Sequence, residues 1–159
     1  MRIISNASPL IVLCKAGLAD VIPQVCTEVL VPEPVWREVV VGGKNDVAAQ
    51  ILLTAHWATL TTVTGANPIV EAWNLGAGET AVLNLALSSP GYRALIDDGA
   101  ARACAKTLKI PFMGAGGLLV QAKRRGLITS FDEALQAVIG AGLWIAPEIV
   151  RLLKEQAGE

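Results

Sequence analysis

Arg93-Ala94-Leu95-Ile96-Asp97-Asp98-Gly99-Ala100-Ala101-Arg102 is a short apolar run that ends abruptly in two acids and passes at once into a helical pattern, residues 100–108. An apolar run of this length, stopped by charge, reads as a buried strand (93–97) that carries carboxylates to the lip of a sheet. What else reaches that lip sets the chemistry.

Outward from this strand, the chain alternates between strand and helix patterns. Upstream, residues 2–5 form a short strand, and Ser8-Pro9 forms the cap and first residue of an apolar helix over 10–16. Gly17 closes that helix, and a short helical piece over 18–22 ends at Pro23. A second strand covers 29–31, and Pro32-Glu33-Pro34 starts a helix through Val41 that Gly42-Gly43 stops. Asp46 caps a helix to about residue 55, residues 59–63 read as a small edge strand, and Asn67-Pro68 opens a turn of helix. Gly76-Ala77-Gly78 leads into a helix over 79–87, and Ser88-Ser89-Pro90-Gly91 turns the chain into the acid-tipped strand. Downstream come a strand over 110–113, a helix over 118–125, a helix capped by Ser130 to about 139, and a last helix over 147–154. The expected architecture is an α/β three-layer sandwich, α/β/α, with a short, mostly parallel central sheet in one domain spanning 1–159.

Bulk composition narrows the classes. At 159 residues with 53% apolar and 17% charged residues, the chain has an oily balance, and its surplus apolar surface is expected to be covered by a partner subunit. No apolar run approaches the roughly 18 residues of a membrane helix, and Met1 to Asn6 carries no signal-peptide pattern, so the expected location is cytoplasmic with no membrane association. The net charge of −1 excludes a strongly basic nucleic-acid-binding surface but not a local one. Cys14, Cys26 and Cys104 have neither metal-knuckle nor redox spacing and read as buried free thiols. His56, the only histidine, lies in an apolar helical pattern and reads as structural or surface, which removes His-based zinc and triad chemistry.

In an open parallel sheet, ligands bind beyond the carboxyl ends of the strands. Asn6, Pro32 to Pro34, Asp97 with Asp98, and Gly114-Ala115 leave those ends. Glu38 points back along its helix toward the same edge, and Glu79 opens the helix after Gly76-Ala77-Gly78. Four acids and an amide thus converge with no lysine or histidine among the nearest positions. A hard divalent cation, Mg2+ or Mn2+, is the simplest neutraliser of all-oxygen ligands, and such an ion can activate water against a phosphodiester. Each residue also has a purely structural role open to it: Asp98 as a helix cap, Glu79 as a helix-dipole partner, Glu38 as a solvated face residue, Asn6 as a turn residue.

Two glycine patterns imitate nucleotide sites. Gly76-Ala77-Gly78-Glu79-Thr80-Ala81 spells a dinucleotide fingerprint but follows no convincing strand. Gly114-Ala115-Gly116-Gly117 stands between a strand and a helix but lacks the remaining fingerprint residues, and Asp132, near the ribose-acid distance, starts a helix rather than ending a strand. Among the cations, Arg102, Lys106 and Lys109 share part of one helix and Lys123-Arg124-Arg125 ends another, where basic residues also suit a helix C-terminus; together they could make a short phosphate track, with few aromatics near them and so no suggestion of base stacking.

Ile4-Ser5-Asn6-Ala7-Ser8-Pro9-Leu10, Val31-Pro32 through Val35-Trp36-Arg37-Glu38-Val39, Leu75-Gly76-Ala77-Gly78-Glu79, and Leu95 through Arg102 to Gly114 resemble, in order and spacing, the PIN-domain family, and most of all its VapC-like toxin branch. The resemblance implies a PIN-like fold and a Mg2+- or Mn2+-dependent endoribonuclease. It also implies a homodimer and a cognate small antitoxin protein as partners. The family's first acid falls on Asn6, its helix glutamate on Glu38, and its third acid on the Asp97-Asp98 pair, with Asp98 favoured because it opens the helix; Glu79 matches a further glutamate of the branch. The implied metal ligands are Asn6, Glu38 and Asp98, the catalytic set adds Glu79 and Asp97, and Ser8, Arg102 and Lys106 are the RNA-contacting candidates. The chain departs from the pattern in two places: position 6 is Asn where active members usually carry Asp, and no acid stands near Gly114-Ala115. These departures leave a second expectation, a catalytically weak or inactive PIN-like module acting through RNA or protein binding.

Overall fold

The computed structural model describes residues 1–43 and 46–159. Five strands, β1 (Arg2–Ser5), β2 (Glu28–Pro32), β3 (Ala58–Thr61), β4 (Arg93–Leu95) and β5 (Phe112–Met113), form one sheet in the order β3-β2-β1-β4-β5. Every neighbouring pair is parallel, so the sheet is wholly rather than mostly parallel. Ten helices connect and follow them among the described residues: α1 (Ala7–Lys15), α2 (Val21–Val25), α3 (Glu33–Val40), α4 (Val47–Thr54), α5 (Pro68–Ala72), α6 (Ala77–Leu87), α7 (Gly99–Thr107), α8 (Ala115–Arg124), α9 (Phe131–Gly140) and α10 (Pro147–Ala157).

Helices cover both faces of the sheet, the expected α/β/α sandwich. The central strands are apolar on both sides because both are covered: Ile3, Ile4, Ala94, Leu95 and Ile96 are fully buried. α6 lies across β1, β2 and β4, while α8 packs on α1, α2, α9 and α10. β3 and β5 are the two edges, and Leu60 of β3 remains half exposed.

Several boundaries differ from the sequence reading. α1 starts at Ala7 with Asn6 in the cap position, so Ser8 and Pro9 are its second and third residues rather than cap and first. Pro23 is likewise the third residue of α2 instead of its terminator. Both prolines are tolerated because the first-turn N–H groups of a helix have no intrahelical acceptor to lose. α8 begins at Ala115, three residues earlier than expected, with Gly114 in the cap position. β4 stops at Leu95, although the Ile96 N–H still pairs with the Met113 carbonyl at 2.8 Å. His56 falls in the turn after α4 and is exposed. Asp46 and Ser130 cap α4 and α9 as expected, accepting from Val47 N and Glu133 N. Cys14, Cys26 and Cys104 are free and buried. No helix among the described residues is long and apolar enough to cross a membrane.

The strand order positions the site. Successive strands run outward from β1 through β2 to β3, and the chain then returns to the opposite side of β1 for β4 and β5. The reversal falls between β1 and β4, and ligands of such sheets bind in the crevice where the order reverses. Ser5 is level with Leu95, and the Asn6 N–H donates to the Leu95 carbonyl at 3.0 Å. Asn6 and the Asp97-Asp98 pair therefore leave adjacent strands at nearly the same height.

Candidate active site

Asn6 is delivered to the edge by β1 and is 2% exposed. Although it occupies the cap position of α1, its side chain makes no capping bond. Its Nδ2 donates instead to Glu79 Oε1 at 3.1 Å. Its Oδ1 is buried and accepts no hydrogen bond.

Glu38 comes to the same place from α3, which packs on α6. The meeting point is Gly78. A Cβ there would lie 3.0 Å from Asn6 Oδ1, 3.3 Å from Glu38 Oε2 and 3.4 Å from Val35 Cγ2. Partial burial of the carboxylate, and then the charge of Glu79, raise the pKa of Glu38 above its ordinary value. Gly76 serves Glu79 in a similar way, since a Cβ at 76 would lie 2.6 Å from Glu79 Oε2. The fingerprint-like glycines thus make room for side chains rather than for a phosphate, and no strand precedes them.

The two neighbouring aspartates are put to different uses. Asp98 caps α7, its Oδ2 accepting from the Ala101 N–H at 2.8 Å, and is exposed. Asp97 is half-buried, and its Oδ1 accepts from the Ala115 N–H at 3.0 Å, the first residue of α8. Gly114 makes that contact possible, because a Cβ there would collide with Asp97 Oδ1. Asp97 Oδ2 is buried without a hydrogen-bond partner. Burial pushes the Asp97 pKa up, against the lowering effects of the Ala115 N–H and the Arg102 charge. A carboxylate already occupies the start of α8, so Gly114 to Gly117 offers no vacant phosphate turn there.

The structure brings Asn6, Glu38 and Glu79 together around Gly78 and sets Asp97 on the adjoining strand end, with Arg102 as its charge neighbour. Among the described residues, no group of three or more His, Cys, Asp or Glu side chains is gathered so as to hold a metal ion. A cation here would draw on the Asn6 amide oxygen and on water as well as on acids, a set that Mg2+ accepts because it keeps several of its waters. Two buried oxygens without donors, Asn6 Oδ1 and Asp97 Oδ2, suit such an ion, since an unpartnered buried acceptor is costly unless something fills it.

Of the cations, Lys123 pairs with Glu159 at 3.0 Å, Arg124 Nε donates to the Gln156 carbonyl at 2.8 Å, and Arg125 Nη1 donates to the Val25 carbonyl at 3.0 Å. That cluster holds helices together. Arg102 is half-buried, its guanidinium 5.2 Å over the Phe112 ring, while Lys106, Lys109 and Ser8 are exposed. Asp132 is tied to Lys154 at 2.6 Å.

A parallel α/β/α sandwich with acids and an amide at its switch point defines the class of fold, and the site lies where such sheets bind their ligands. The chain belongs to the PIN-domain family: that family's model matches residues 2–159. The fold is of nuclease type, and members of the family generally act on nucleic acid. No curated protein matches the chain, and no solved structure does.

Proposed function

We propose that this PIN-domain protein, as one unit over 1–159, is a metal-dependent endoribonuclease and the toxin of a toxin–antitoxin pair. The observation that carries the catalytic reading is a pair of buried, unpartnered oxygens, Asn6 Oδ1 beside Glu38 and Glu79, and Asp97 Oδ2 just past the end of the adjacent strand. Mg2+ or Mn2+ would be held by Asn6, Asp97 and Glu38, and when bound supplies an activated water and positive charge for the leaving oxygen. Each aspartate has one oxygen engaged by a helix N–H, and Asp97 is preferred as the ligand because its other oxygen is buried without a partner while Asp98 is exposed. Glu79 fixes the Asn6 amide so that its oxygen, not its nitrogen, faces the gap. The Ala115 N–H orients Asp97 in the same way. Arg102 and Lys106 on α7 supply cations for the RNA backbone, and Ser8 on α1 lies two residues from Asn6.

The toxin role carries with it a homodimer, a small antitoxin and a cytoplasmic location. Exposed Leu53, Leu60 and Ile69 leave apolar surface for subunits, and the three free, buried thiols suit a reducing compartment. A second reading, a weak or silent module that binds RNA or protein, is favoured by one observation: the neutral amide at position 6 already satisfies Glu79 without any cation.

Cleavage of mixed RNAs with Mn2+ tests both readings. The nuclease reading expects the unaltered protein to cleave and Asp97→Asn to lose that activity. Cleavage that appears only in Asn6→Asp would support the silent module instead.

A further inference from the structure

The two edges of the sheet are finished differently. β5 is only two residues long, follows Pro111, and has the Arg102 guanidinium 5.2 Å over its Phe112 ring, all of which discourage a further strand. β3 has none of these guards. From Trp57 to Val70 the chain carries no charged residue, and within 58–66 it carries no proline. Thr59-Leu60-Thr61-Thr62-Val63-Thr64 is rich in β-branched residues, which suit a sheet. Among the described residues, apart from its ladder with β2, the main chain of 58–66 takes one hydrogen bond, from the Thr61 hydroxyl to the Thr59 carbonyl at 3.0 Å. A strand bonded on one side only turns a row of N–H and C=O groups outward, unpaired.

We propose that β3 is the seam of the homodimer: two copies pair their β3 edges antiparallel about a two-fold axis near Leu60 and Thr61, joining two five-stranded sheets into one. The inference rests on the homodimer reading and deepens it by naming the surface that the copies share. A row of main-chain donors and acceptors is matched by another strand, not by a helix face or a side chain. A two-fold seam lays the strand against itself in reverse, so the same surface must complement itself. Any charge on β3 would then face its own copy and repel it, and β3 has none; what it offers instead is mostly threonine, and Thr–Thr pairs stabilise neighbouring strands. Backbone pairing sets the register, and apolar side chains supply the area that a stable interface of at least about 1,000 Å2 needs. Leu60 on β3, Leu53 at the end of α4 and Ile69 in α5 are all at least half exposed, and they bracket this strand in the chain.

The test is analytical ultracentrifugation of the wild type, Leu60→Glu and Leu60→Lys, each alone, and of the two variants mixed. The wild type should be a dimer. Each variant alone should dissociate roughly tenfold more readily, because like charges meet across the axis, and the equimolar mixture should recover the dimer. Leu60 is half exposed, so a charge there spares the core, and Thr62→Lys, at an exposed position just beyond β3, should show the same loss if a variant at 60 fails to fold. A monomeric wild type would overturn the homodimer and the seam together. A dimer that keeps its affinity in every charged variant would overturn the seam alone and leave the homodimer to another surface. Failure of the mixture to recover the dimer would overturn the pairing of β3 with itself. Cleavage with Mn2+, measured in parallel, reports on the nuclease reading by itself, so the two can fail separately.

Discussion

The Asn6 side-chain amide donates to Glu79 Oε1 at 3.1 Å, joining positions 73 residues apart at the carboxyl edge of the sheet. An aspartate at position 6 would replace that donor with a charge beside Glu79 and Glu38. Asn6→Asp is therefore expected to lower the melting temperature without divalent ions by a few degrees, corresponding to about 1–2 kcal/mol. Mn2+ should restore more stability to Asn6→Asp than to the wild type, because the added carboxylate binds the ion in the folded state only. Thermal melts with EDTA and with Mn2+ check this, and an equal response of both proteins would count against Asn6 as a ligand.

The adjacent aspartates should separate cleanly. Asp98→Ala removes the α7 cap and is expected to cost about 1 kcal/mol of stability while leaving RNA cleavage near the wild-type level. Asp97→Asn keeps an acceptor for the Ala115 N–H but loses the charge. Its cleavage should fall on the order of a hundredfold, a loss that even residues merely supporting a metal ligand can reach. The reverse pattern would return the ligand role to Asp98.

Gly78→Ala tests the closeness of Asn6 and Glu38 without touching either. The methyl would lie 3.0 Å from Asn6 Oδ1 and 3.3 Å from Glu38 Oε2. Alanine favours the helix by about 1 kcal/mol, which offsets part of the roughly 1–3 kcal/mol cost of crowding. Stability should change little, while the gain in melting temperature from Mn2+ shrinks. A full Mn2+ response in this variant would remove the site from the α3–α6 contact.

Glu38 and Asp97 both have raised pKa values, so each holds its proton more firmly folded than unfolded. Their contribution to stability is present at low pH, below the unfolded values, and is lost as pH rises through the raised folded ones. Without metal, stability measured from about pH 4 to 8 should decline on this account, and Glu38→Gln should decline less. Saturating Mn2+, which favours the ionised acids, should oppose the decline.

Much of the fold was readable because strand and helix patterns alternate and the central strands are apolar on both faces. The order of the strands was not, since each parallel strand carries the same apolar run and nothing in Leu95 names Ser5 as its neighbour. Asn6, Glu38 and Glu79 could be anticipated from their places near strand ends and helix starts. The different duties of Asp97 and Asp98 could not, because the Ala115 N–H that engages Asp97 arrives from the next strand-to-helix junction. Gly76 and Gly78 had a readable spacing whose purpose was hidden until α3 and α6 were seen in contact.

Asp97 and Asp98 are consecutive in the chain, yet each carboxylate meets the amino end of a different helix, α8 for the first and α7 for the second. Adjacent negative charges would ordinarily push apart; here each has its own positive pole. Two consecutive residues thereby tie the starts of two helices to one strand end, the Asp98 carboxylate holding α7 and the Asp97 carboxylate holding α8. The starts of α7 and α8 are consequently referenced to one point of the chain, the end of β4, so the strand that delivers the acids also sets where both helices begin.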